Sequence, residues 1–425
     1  MYATATDHPR PVQTPVAPII VATVIGNGLV AYDFTVYSFS AIIIGKLFFP
    51  ASSPSASLLL SLATFGAGFI MRPLGAMIIG HVADSRGRKA GITLSLALMT
   101  IGTWLIAFLP TYASIGVAST VLMVVARLMQ GLAAGGEIGP ASAMLMELVE
   151  RNRRCYMVSW RGASQGIAAC VAALIGAITA AALRPSSVAD WGWRIPFILG
   201  GLVGPVGWYL RSRMTASRVD ERHRTSLSRM FAQHPRQLVY GALSMAAPTV
   251  SIYITVFYMP TYMITTLHRA PAISLLTACL SGLVIAAATP LLARIADRQV
   301  DRKPIQYVTL AGCFVLTYPV FFVLTHWTGS ITSLTIILAY VAIALSNAGA
   351  SSVMMLEAFP RRHRAAGTSI IYALGVTIFG GSAPLIVAWL VHRTHDPMIP
   401  AWYLLAAIAI SLFALRRFPA VCSSE

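Results

Sequence analysis

Long apolar stretches dominate this chain and restrict what it can fold into. Twelve stretches of membrane-spanning length recur between residue 17 and residue 415, numbered here as spans 1 to 12. They lie near residues 17–47, 56–80, 91–109, 116–146, 157–183, 195–210, 238–264, 272–293, 305–326, 331–355, 366–391 and 399–415. Of the 425 residues 57% are hydrophobic and 11% charged, against about 25% charged in soluble domains. The sequence therefore predicts an all-α membrane protein of twelve transmembrane helices.

Lys and Arg are distributed unequally between the two sides of this predicted bundle. Of 31 such residues, four fall within spans and four on one side, which leaves 23 on the side of both termini. Those within spans are Lys46, Arg72, Arg127 and Arg161, and those on the sparse side are Arg184, Arg194, Arg269 and Arg393. Because cytoplasmic loops concentrate Lys and Arg, the pattern predicts cytoplasmic termini and an inner (plasma) membrane location. The net charge of +17 is then a topology signal and not a sign of nucleic-acid binding.

The longest polar interval divides the twelve spans into six and six. It is rich in arginine and predicts a cytoplasmic linker at residues 211–237, between halves at 1–210 and 238–425. A weak repeat supports two halves, because GHVADSRGRK after span 2 and ARIADRQVDRK after span 8 place Asp84 and Asp297 at equivalent helix ends. Parallel six-helix repeats are a recurring plan among transporters.

The histidines and cysteines of this sequence do not form the motifs of a catalytic or metal-binding site. All nine histidines fall in loops or at span ends, and the five cysteines contain no C-x-x-C pair. Neither G-x-S-x-G, H-E-x-x-H nor a Walker A motif occurs. We therefore expect no enzyme activity, no cofactor, no metal and no direct use of ATP.

A few charged residues lie deep in the predicted spans, where each costs several kcal/mol and usually marks a transport pathway. Span 1 carries Asp33 at roughly 24 Å depth, and Arg127 in span 4 has a similar depth. Glu137 lies closer to the level of Arg72, while Arg161 near the start of span 5 competes for it. We expect two pairs, Asp33 with Arg127 and Glu137 with Arg72.

Helical spacing groups further polar residues on single faces, which suggests one polar cavity shared by both halves. The faces comprise Arg127, Gln130, Ala134 and Glu137 in span 4; Ser251, Thr255, Tyr258 and Tyr262 in span 7; and Gly26, Val30, Asp33 and Tyr37 in span 1. Gln165, Asn347 and Tyr372 are candidates for the same cavity. Simple helix packing is the alternative for a tyrosine or serine face taken alone.

The motifs together resemble the metabolite:H+ symporter branch of the major facilitator superfamily. The resemblance rests on GHVADSRGRK, GNGLVAYDFTVY, FIMRPLGAMIIG, ARLMQGLAAGGE, DWGWRIPF, EAFPRRHRAAG and IFGGSAP, in that order along the chain. Within the branch, TFGAGFIMRPLGA and FYMPTY look most similar to citrate and tricarballylate carriers.

The resemblance implies roles for particular residues. It places proton coupling on Asp33 and Arg127, with Gln130 beside them, and Glu137 is a further proton-coupling candidate. The candidate substrate ligands are Tyr37, Arg127, Gln130, Arg161, Gln165, Tyr258, Tyr262, Asn347 and Tyr372. The resemblance places the gate motif on Gly80, Asp84, Gly87, Arg88 and Lys89, where glycine permits close backbone approach. The chain departs from the branch at Val30, Ser85 and Arg161, where an acid, an arginine and a glutamine are usual.

We expect a monomeric proton-coupled symporter in the lipid bilayer that imports a small organic anion, a di- or tricarboxylate such as citrate. Basic groups facing a cavity bind carboxylates, and arginine does so with two parallel hydrogen bonds. The alternatives are an exporter of the same fold or a carrier of another metabolite, such as a zwitterionic osmolyte, a shikimate-like compound or a 2-oxo acid. A ligand sensor without transport and a membrane enzyme are less well supported.

Overall fold

A computed structural model of the chain describes residues 16–86, 88–135, 142, 145–146, 149–212, 232–299, 301–327, 330–345, 348–360 and 363–419. Within these ranges the regular structure is helical throughout. This confirms the all-α architecture, and the helices follow the twelve predicted spans.

Six spans form the first half of the chain. They are Val16–Phe39 with Ala41–Phe48 (span 1), Pro54–Arg86 (span 2), Arg88–Phe108 (span 3), Val117–Gly135 (span 4), Arg154–Ala182 (span 5) and Arg194–Ser212 (span 6). Short helices Tyr112–Ile115, Arg151–Arg153, Pro185–Ser187 and Val188–Gly192 connect or precede them. Span 1 bends by 64° between its two helices.

Six more spans form the second half. They are Pro235–Thr265 (span 7), Pro271–Asp297 (span 8), Lys303–His326 (span 9), Ser330–Leu345 with Ala348–Glu357 (span 10), Arg364–Thr394 (span 11) and Ile399–Arg417 (span 12). We call the end of the bundle at which span 6 ends and span 7 begins the linker end, and the opposite end the far end.

Apolar character and length agree with membrane crossing over most of the described helices. Nine of them are long and apolar enough to span a bilayer, and the bent pair in span 1 makes a tenth. Span 3 contributes the shorter apolar helix Thr93–Phe108, and span 6 is a helix of 19 residues. Leucine, isoleucine and valine side chains on the outside of these helices are exposed, as a lipid-facing surface requires.

Spans 7 and 11 depart from regular α-helix near their middles. Tyr253–Tyr258 in span 7 and Val376–Gly381 in span 11 are π-helical turns. A π-turn inserts one extra residue, so that the side chains beyond it move to a different face of the helix. The two turns approach each other, because a side chain at Gly380 would meet Thr249 and Tyr253.

The two halves touch most extensively between spans 5 and 8. Gly166 and Gly282 face one another there, and a Cβ atom on either would lie 2.5 Å from the carbonyl oxygen of the other. Small residues allow such backbone contact between membrane helices. Toward the far end, the sulfur atoms of Cys170 and Cys279 lie 3.4 Å apart across the same contact.

This geometry predicts that mild oxidation with copper phenanthroline joins Cys170 to Cys279 and links the two halves covalently. A protease site inserted within residues 213–231 would reveal the link, because the cleaved halves would migrate together without reductant. Cys279→Ser should abolish the link, and Cys313→Ser should leave it intact. Separation of the halves after oxidation would contradict the helix contact.

Candidate functional site

Two buried arginines share one aromatic ring near the middle of the first half. The guanidinium carbons of Arg72 and Arg127 lie 4.7 Å and 4.8 Å from the ring centroid of Phe34. Arg72 also lies 4.2 Å from the Phe69 centroid, and Arg127 lies 4.1 Å from that of Tyr37. These four side chains and Phe34 form what we call the arginine–aromatic cluster. Ring faces stabilise each cation by about 0.5–2 kcal/mol.

Glycines in spans 2 and 4 bring the two arginines together. A side chain at Gly131 would collide with the backbone of Gly68, and one at Gly135 would collide with the carbonyl oxygen of Arg72. Because neither glycine carries a side chain, the two helices touch along their backbones. Arg72 and Arg127 can then reach the same ring from neighbouring helices.

Asp33 and Arg127 are connected indirectly. The hydroxyl of Thr103 in span 3 donates to Oδ2 of Asp33 at 2.8 Å, and Nε2 of Gln130 donates to that hydroxyl at 2.9 Å. Nη1 of Arg127 in turn donates to Oε1 of Gln130 at 2.6 Å. The expected direct pairing is replaced, in this structure, by two neutral side chains placed between the charges.

Several donors in this region have no hydrogen-bond partner among the described residues. They are Nε of Arg72, Nε and Nη2 of Arg127, and Nε and Nη1 of Arg161, and the acceptor Oδ1 of Asp33 is also unpaired. An uncompensated charge in a low-dielectric interior costs several kcal/mol, more than ring contacts return. The arrangement is therefore suited to an anion that supplies the missing acceptors.

A cavity lies between the halves beside this cluster. Asn27, Phe34 and Arg72 line it from the first half, and Tyr253, Phe257 and Tyr372 line it from the second half. Gln165, predicted for the cavity, also lines it. Arg127 is not among the residues that line this cavity, but it contacts Phe34, which does line it. The hydrogen bonds that connect Asp33 to Arg127 therefore lie next to the cavity.

Arg161 joins the cavity wall through a tyrosine of the other half. Its guanidinium carbon lies 4.8 Å from the ring centroid of Tyr372. The side-chain amide of Asn27 in span 1 donates to the backbone oxygen of Arg161 at 2.9 Å and to the hydroxyl of Ser164 at 2.8 Å. Asn27 thereby fixes the turn of span 5 that carries Arg161.

Some of the predicted substrate ligands do not line this cavity. Tyr37 contacts Arg127 in the cluster, while Tyr258 and Tyr262 do not line the described cavity. The Tyr262 hydroxyl donates to the carbonyl oxygen of Pro397 at 2.6 Å, near the far end. Glu137 and Asn347 lie outside the described residues, so the pairing of Glu137 with Arg72 stays a prediction.

The cavity contacts a different side of span 7 from the predicted one. A face through Ser251 and Thr255 continues at 3.6 residues per turn to Tyr258, and the π-turn at Tyr253–Tyr258 changes the helix surface only beyond its start. Tyr253 and Phe257 line the cavity in their place. Helical spacing does not predict Tyr253, Asn27 or Thr103 as part of this site. Only Asn27 gives a signal in the sequence, because it is an isolated polar residue in an apolar helix.

The predicted gate motif is described only in part. Among the described residues, a side chain at Gly80 would meet nothing within 4 Å, so this part of the structure does not show the close backbone approach that the resemblance implied. Gly87 and the side chains of Asp84, Arg88 and Lys89 lie outside the described part of the chain.

The equivalent loop of the second half makes the contacts expected of a gate. The carboxylate of Asp297 accepts hydrogen bonds from the backbone N–H groups of Cys155 and Tyr156, both at 2.8 Å. It therefore caps the start of span 5, where a negative charge is favoured. The internal repeat was the sequence signal for this residue.

Glu357 joins the halves at the same end. Its carboxylate contacts Nη1 of Arg154 at 3.0 Å from the first half and Nη1 of Arg302 at 2.5 Å from the second. Arg302 also donates to the sulfur of Cys155 at 3.2 Å. We call Arg154, Asp297, Arg302 and Glu357 the linker-end latch.

Inter-half contacts lie beyond the cavity on its other side as well. The Ser38 hydroxyl donates to the carbonyl oxygen of Phe257 at 2.9 Å, and the Thr377 hydroxyl donates to that of Phe69 at 2.8 Å. The cavity thus lies between two sets of contacts that would have to open in turn to give access from each side.

Comparison with known proteins identifies the class of protein that this fold and site define. The family model of the Major Facilitator Superfamily matches residues 16–375. A D-xylose-proton symporter of known structure superposes with a TM-score of 0.78 at 20% identity, covering 97% of this chain and 100% of that one. The chain belongs to the major facilitator superfamily and has its twelve-helix fold.

Two bacterial relatives are considerably more similar in sequence. A citrate-proton symporter of Salmonella typhi is 36% identical over 396 residues, which cover 92% of this chain and 91% of the relative. A citrate-proton symporter of Klebsiella pneumoniae is 34% identical over 394 residues, covering 92% and 88%. Both relatives are transporters, in agreement with the predicted absence of enzyme activity.

The linker-end latch generates a prediction about accessibility. Glu357→Gln should leave Arg154 and Arg302 without a carboxylate partner, which favours separation of the halves at the linker end. The thiol of Cys155 is buried beneath this contact and serves as the reporter. Maleimide labelling of Cys155 should increase severalfold in Glu357→Gln.

The matched control is Asp301→Asn, since Asp301 is exposed in the same loop and contacts the N–H of Lys303. Equal labelling of Cys155 in both variants would show that Glu357 does not hold this end closed.

Proposed function

We propose that this protein is a proton-coupled symporter that imports a small organic anion, a di- or tricarboxylate such as citrate, by alternating access. The observation that carries the proposal is a set of guanidinium donors on Arg72, Arg127 and Arg161, in and beside one cavity, that have no hydrogen-bond partner among the described residues. A carboxylate substrate would supply acceptors and negative charge to these donors. Two separate arginine positions, at Arg72 and Arg161, suit a substrate with more than one carboxylate.

Asp33 is the best-placed proton carrier. It is buried in the interior of the bundle, and one of its oxygens lacks a hydrogen-bond partner among the described residues. Its charge acts on Arg127 through the short chain of Thr103 and Gln130. Protonation of Asp33 increases the net positive charge near the cavity, so a proton and an anion stabilise each other's binding.

The names of the relatives support the same chemistry. Two citrate-proton symporters align with this chain over nearly its whole length. The buried arginines favour an anion over a zwitterionic osmolyte, because a cation in the substrate would meet three guanidinium groups.

Alternating access follows from two halves that rock about a central site. The halves correspond to residues 1–210 and 238–425, joined by the linker at 211–237. Opening the linker-end latch would expose the cavity on one side, and separating Ser38 from Phe257 would help expose it on the other. Glu137 remains a second candidate for proton coupling, and Asn347 for substrate binding.

The placement of Lys and Arg supports an inner-membrane protein with both termini in the cytoplasm. The linker end is then the cytoplasmic end. The site is built within one chain, which supports a monomer as the transporting unit.

Reconstitution into proteoliposomes tests the proposal. An acid-outside pH gradient should drive accumulation of labelled citrate or tricarballylate above equilibrium, and a protonophore should abolish it. Unlabelled proline and betaine should not compete. Uptake of a zwitterion in preference to all tricarboxylates and dicarboxylates would contradict the assigned substrate class.

Asp33→Asn should abolish accumulation against a gradient while sparing exchange of internal for external substrate. Exchange needs substrate binding and movement of the halves, whereas accumulation also needs release of the proton. Measurement of both in the same vesicles separates the two roles. Equal loss of exchange and accumulation would assign Asp33 to substrate binding or to packing.

Arg161→Gln should raise the apparent substrate constant roughly ten- to a hundredfold, because a charge-assisted hydrogen bond typically contributes about 1.5–3 kcal/mol. Arg294→Gln is a matched control, since Arg294 lies over the ring of Tyr156 at a comparable 4.7 Å but at the exposed linker end. Unchanged affinity in Arg161→Gln at normal membrane levels would make Arg161 a packing residue.

A further inference from the structure

We propose that Thr103 and Gln130 are positioning residues that transmit the protonation state of Asp33 to Arg127, and thereby set whether Arg127 is available to the substrate anion. The inference rests on the proposed function, since it assigns the regulation of that same site. It concerns span 3, which supplies no charged residue to the interior of the described bundle.

Thr103 and Gln130 complete a continuous chain of hydrogen bonds between Arg127 and Asp33, in which every donor points toward Asp33. Arg127 donates to Gln130, Gln130 donates to Thr103, and Thr103 donates to Asp33. All four side chains are at most 5% exposed, so water does not compete freely for these hydrogen bonds. In such surroundings hydrogen bonds in a chain polarise and strengthen one another.

Thr103 gives this chain of hydrogen bonds two alternative states. Its single hydroxyl proton has two acceptors within reach, Oδ2 of Asp33 at 2.8 Å and the carbonyl oxygen of Met99 at 3.0 Å. A hydroxyl donates only one hydrogen bond but has two lone pairs. When Asp33 is ionised, Thr103 donates to it. When Asp33 is protonated, the acid can donate to Thr103, whose own proton turns toward Met99.

The two states differ in how firmly they hold Arg127. With Asp33 ionised, the chain ends on a negative charge, and charge-assisted hydrogen bonds are about twice as strong as neutral ones. Gln130 is then polarised into a better acceptor for the guanidinium. With Asp33 protonated, this polarisation is lost and Arg127 is held more weakly, beside Phe34 and the cavity. Proton binding therefore favours tight anion binding, which couples the two in symport.

Within the described part of the protein, the charged and titratable groups around Asp33 and Arg127 are Arg72 in span 2, Tyr32 and Tyr37 in span 1, and Tyr253 in span 7. From span 6, Gly200 approaches Asp33, where an added Cβ atom would lie 3.1 Å from Oδ1. Among the described residues, none of these replaces Thr103 as a donor to Asp33.

The experiment compares uptake of labelled citrate at several external pH values in Thr103→Val, Thr103→Ser and the wild-type protein. Valine matches the shape of threonine and removes the donor to Asp33, so the ionised carboxylate loses a hydrogen bond. The alkaline limit of uptake should therefore move to higher pH by about 0.5–1 unit. Thr103→Ser should keep the wild-type profile.

Thr100→Val is the matched control. Thr100 lies one turn away in span 3 and donates to the carbonyl oxygen of Leu96. It takes no part in the hydrogen bonds that connect Asp33 to Arg127. This variant removes the same group from the same helix and should not shift the profile. A Thr103→Val profile equal to that of Thr100→Val would overturn the proposal, whatever the maximal rate.

Gln130→Leu provides a second test that does not depend on the first variant. It removes the hydrogen bonds of Gln130 to Arg127 and Thr103 and leaves Thr103 donating to Asp33. The apparent substrate constant should then vary several-fold less with pH than in the wild type, while the alkaline limit stays in place. An unchanged pH dependence of the substrate constant would contradict transmission through Gln130. Absence of proton-driven uptake in the wild type would instead refute the proposed function.

Discussion

The organisation of this protein depends on positive charge held in a low-dielectric interior where, among the described residues, no carboxylate pairs directly with Arg72, Arg127 or Arg161. Arg72 and Arg127 contact the same Phe34 ring, and the described carboxylate nearest in the network, Asp33, reaches Arg127 through two neutral side chains. A direct ion pair would satisfy Arg127 and leave it little affinity for a substrate. Separation keeps the guanidinium electrostatically unsatisfied, and in the proposed mechanism the substrate anion supplies the negative charge that offsets it.

Close backbone contact makes this arrangement possible. Two arginines repel one another, so a shared ring is reached only if their helices are held together by other means. The glycines of spans 2 and 4 provide this, because a methyl group at Gly131 or Gly135 would collide with the backbone of the other helix. Spans 5 and 8 use the same device at Gly166 and Gly282, where the two halves meet. Helix packing through small residues thus fixes both the positions of the two buried arginines and the surface at which the halves meet.

The sequence predicts the spans well because hydrophobic length and the cost of buried charge are strong, local signals. The depths of Asp33 and Arg127 follow from counting residues along a helix, and the structure places both in one hydrogen-bonded network. Prediction was weaker for helix faces. A face extrapolated through span 7 assumes 3.6 residues per turn, and the π-turn at Tyr253–Tyr258 breaks that assumption. Thr103 gave no signal, since a threonine that bonds within its own helix is common in apolar segments.

At two places in the structure one carboxylate lies among several cations. Asp33 acts on Arg127 through Thr103 and Gln130, and Glu357 bridges Arg154 and Arg302 across the halves. Glu357 holds together two cations that would otherwise repel, whereas Asp33 acts on one cation through two neutral side chains. In both places, neutralising the carboxylate weakens its hold on a guanidinium. In the proposed mechanism the neutralising event at Asp33 is protonation, which makes Arg127 available to the substrate. At Glu357 the bridged groups belong to different halves, so losing the bridge favours opening. Under this proposal, the same electrostatic principle governs substrate affinity in the centre of the bundle and access at its end.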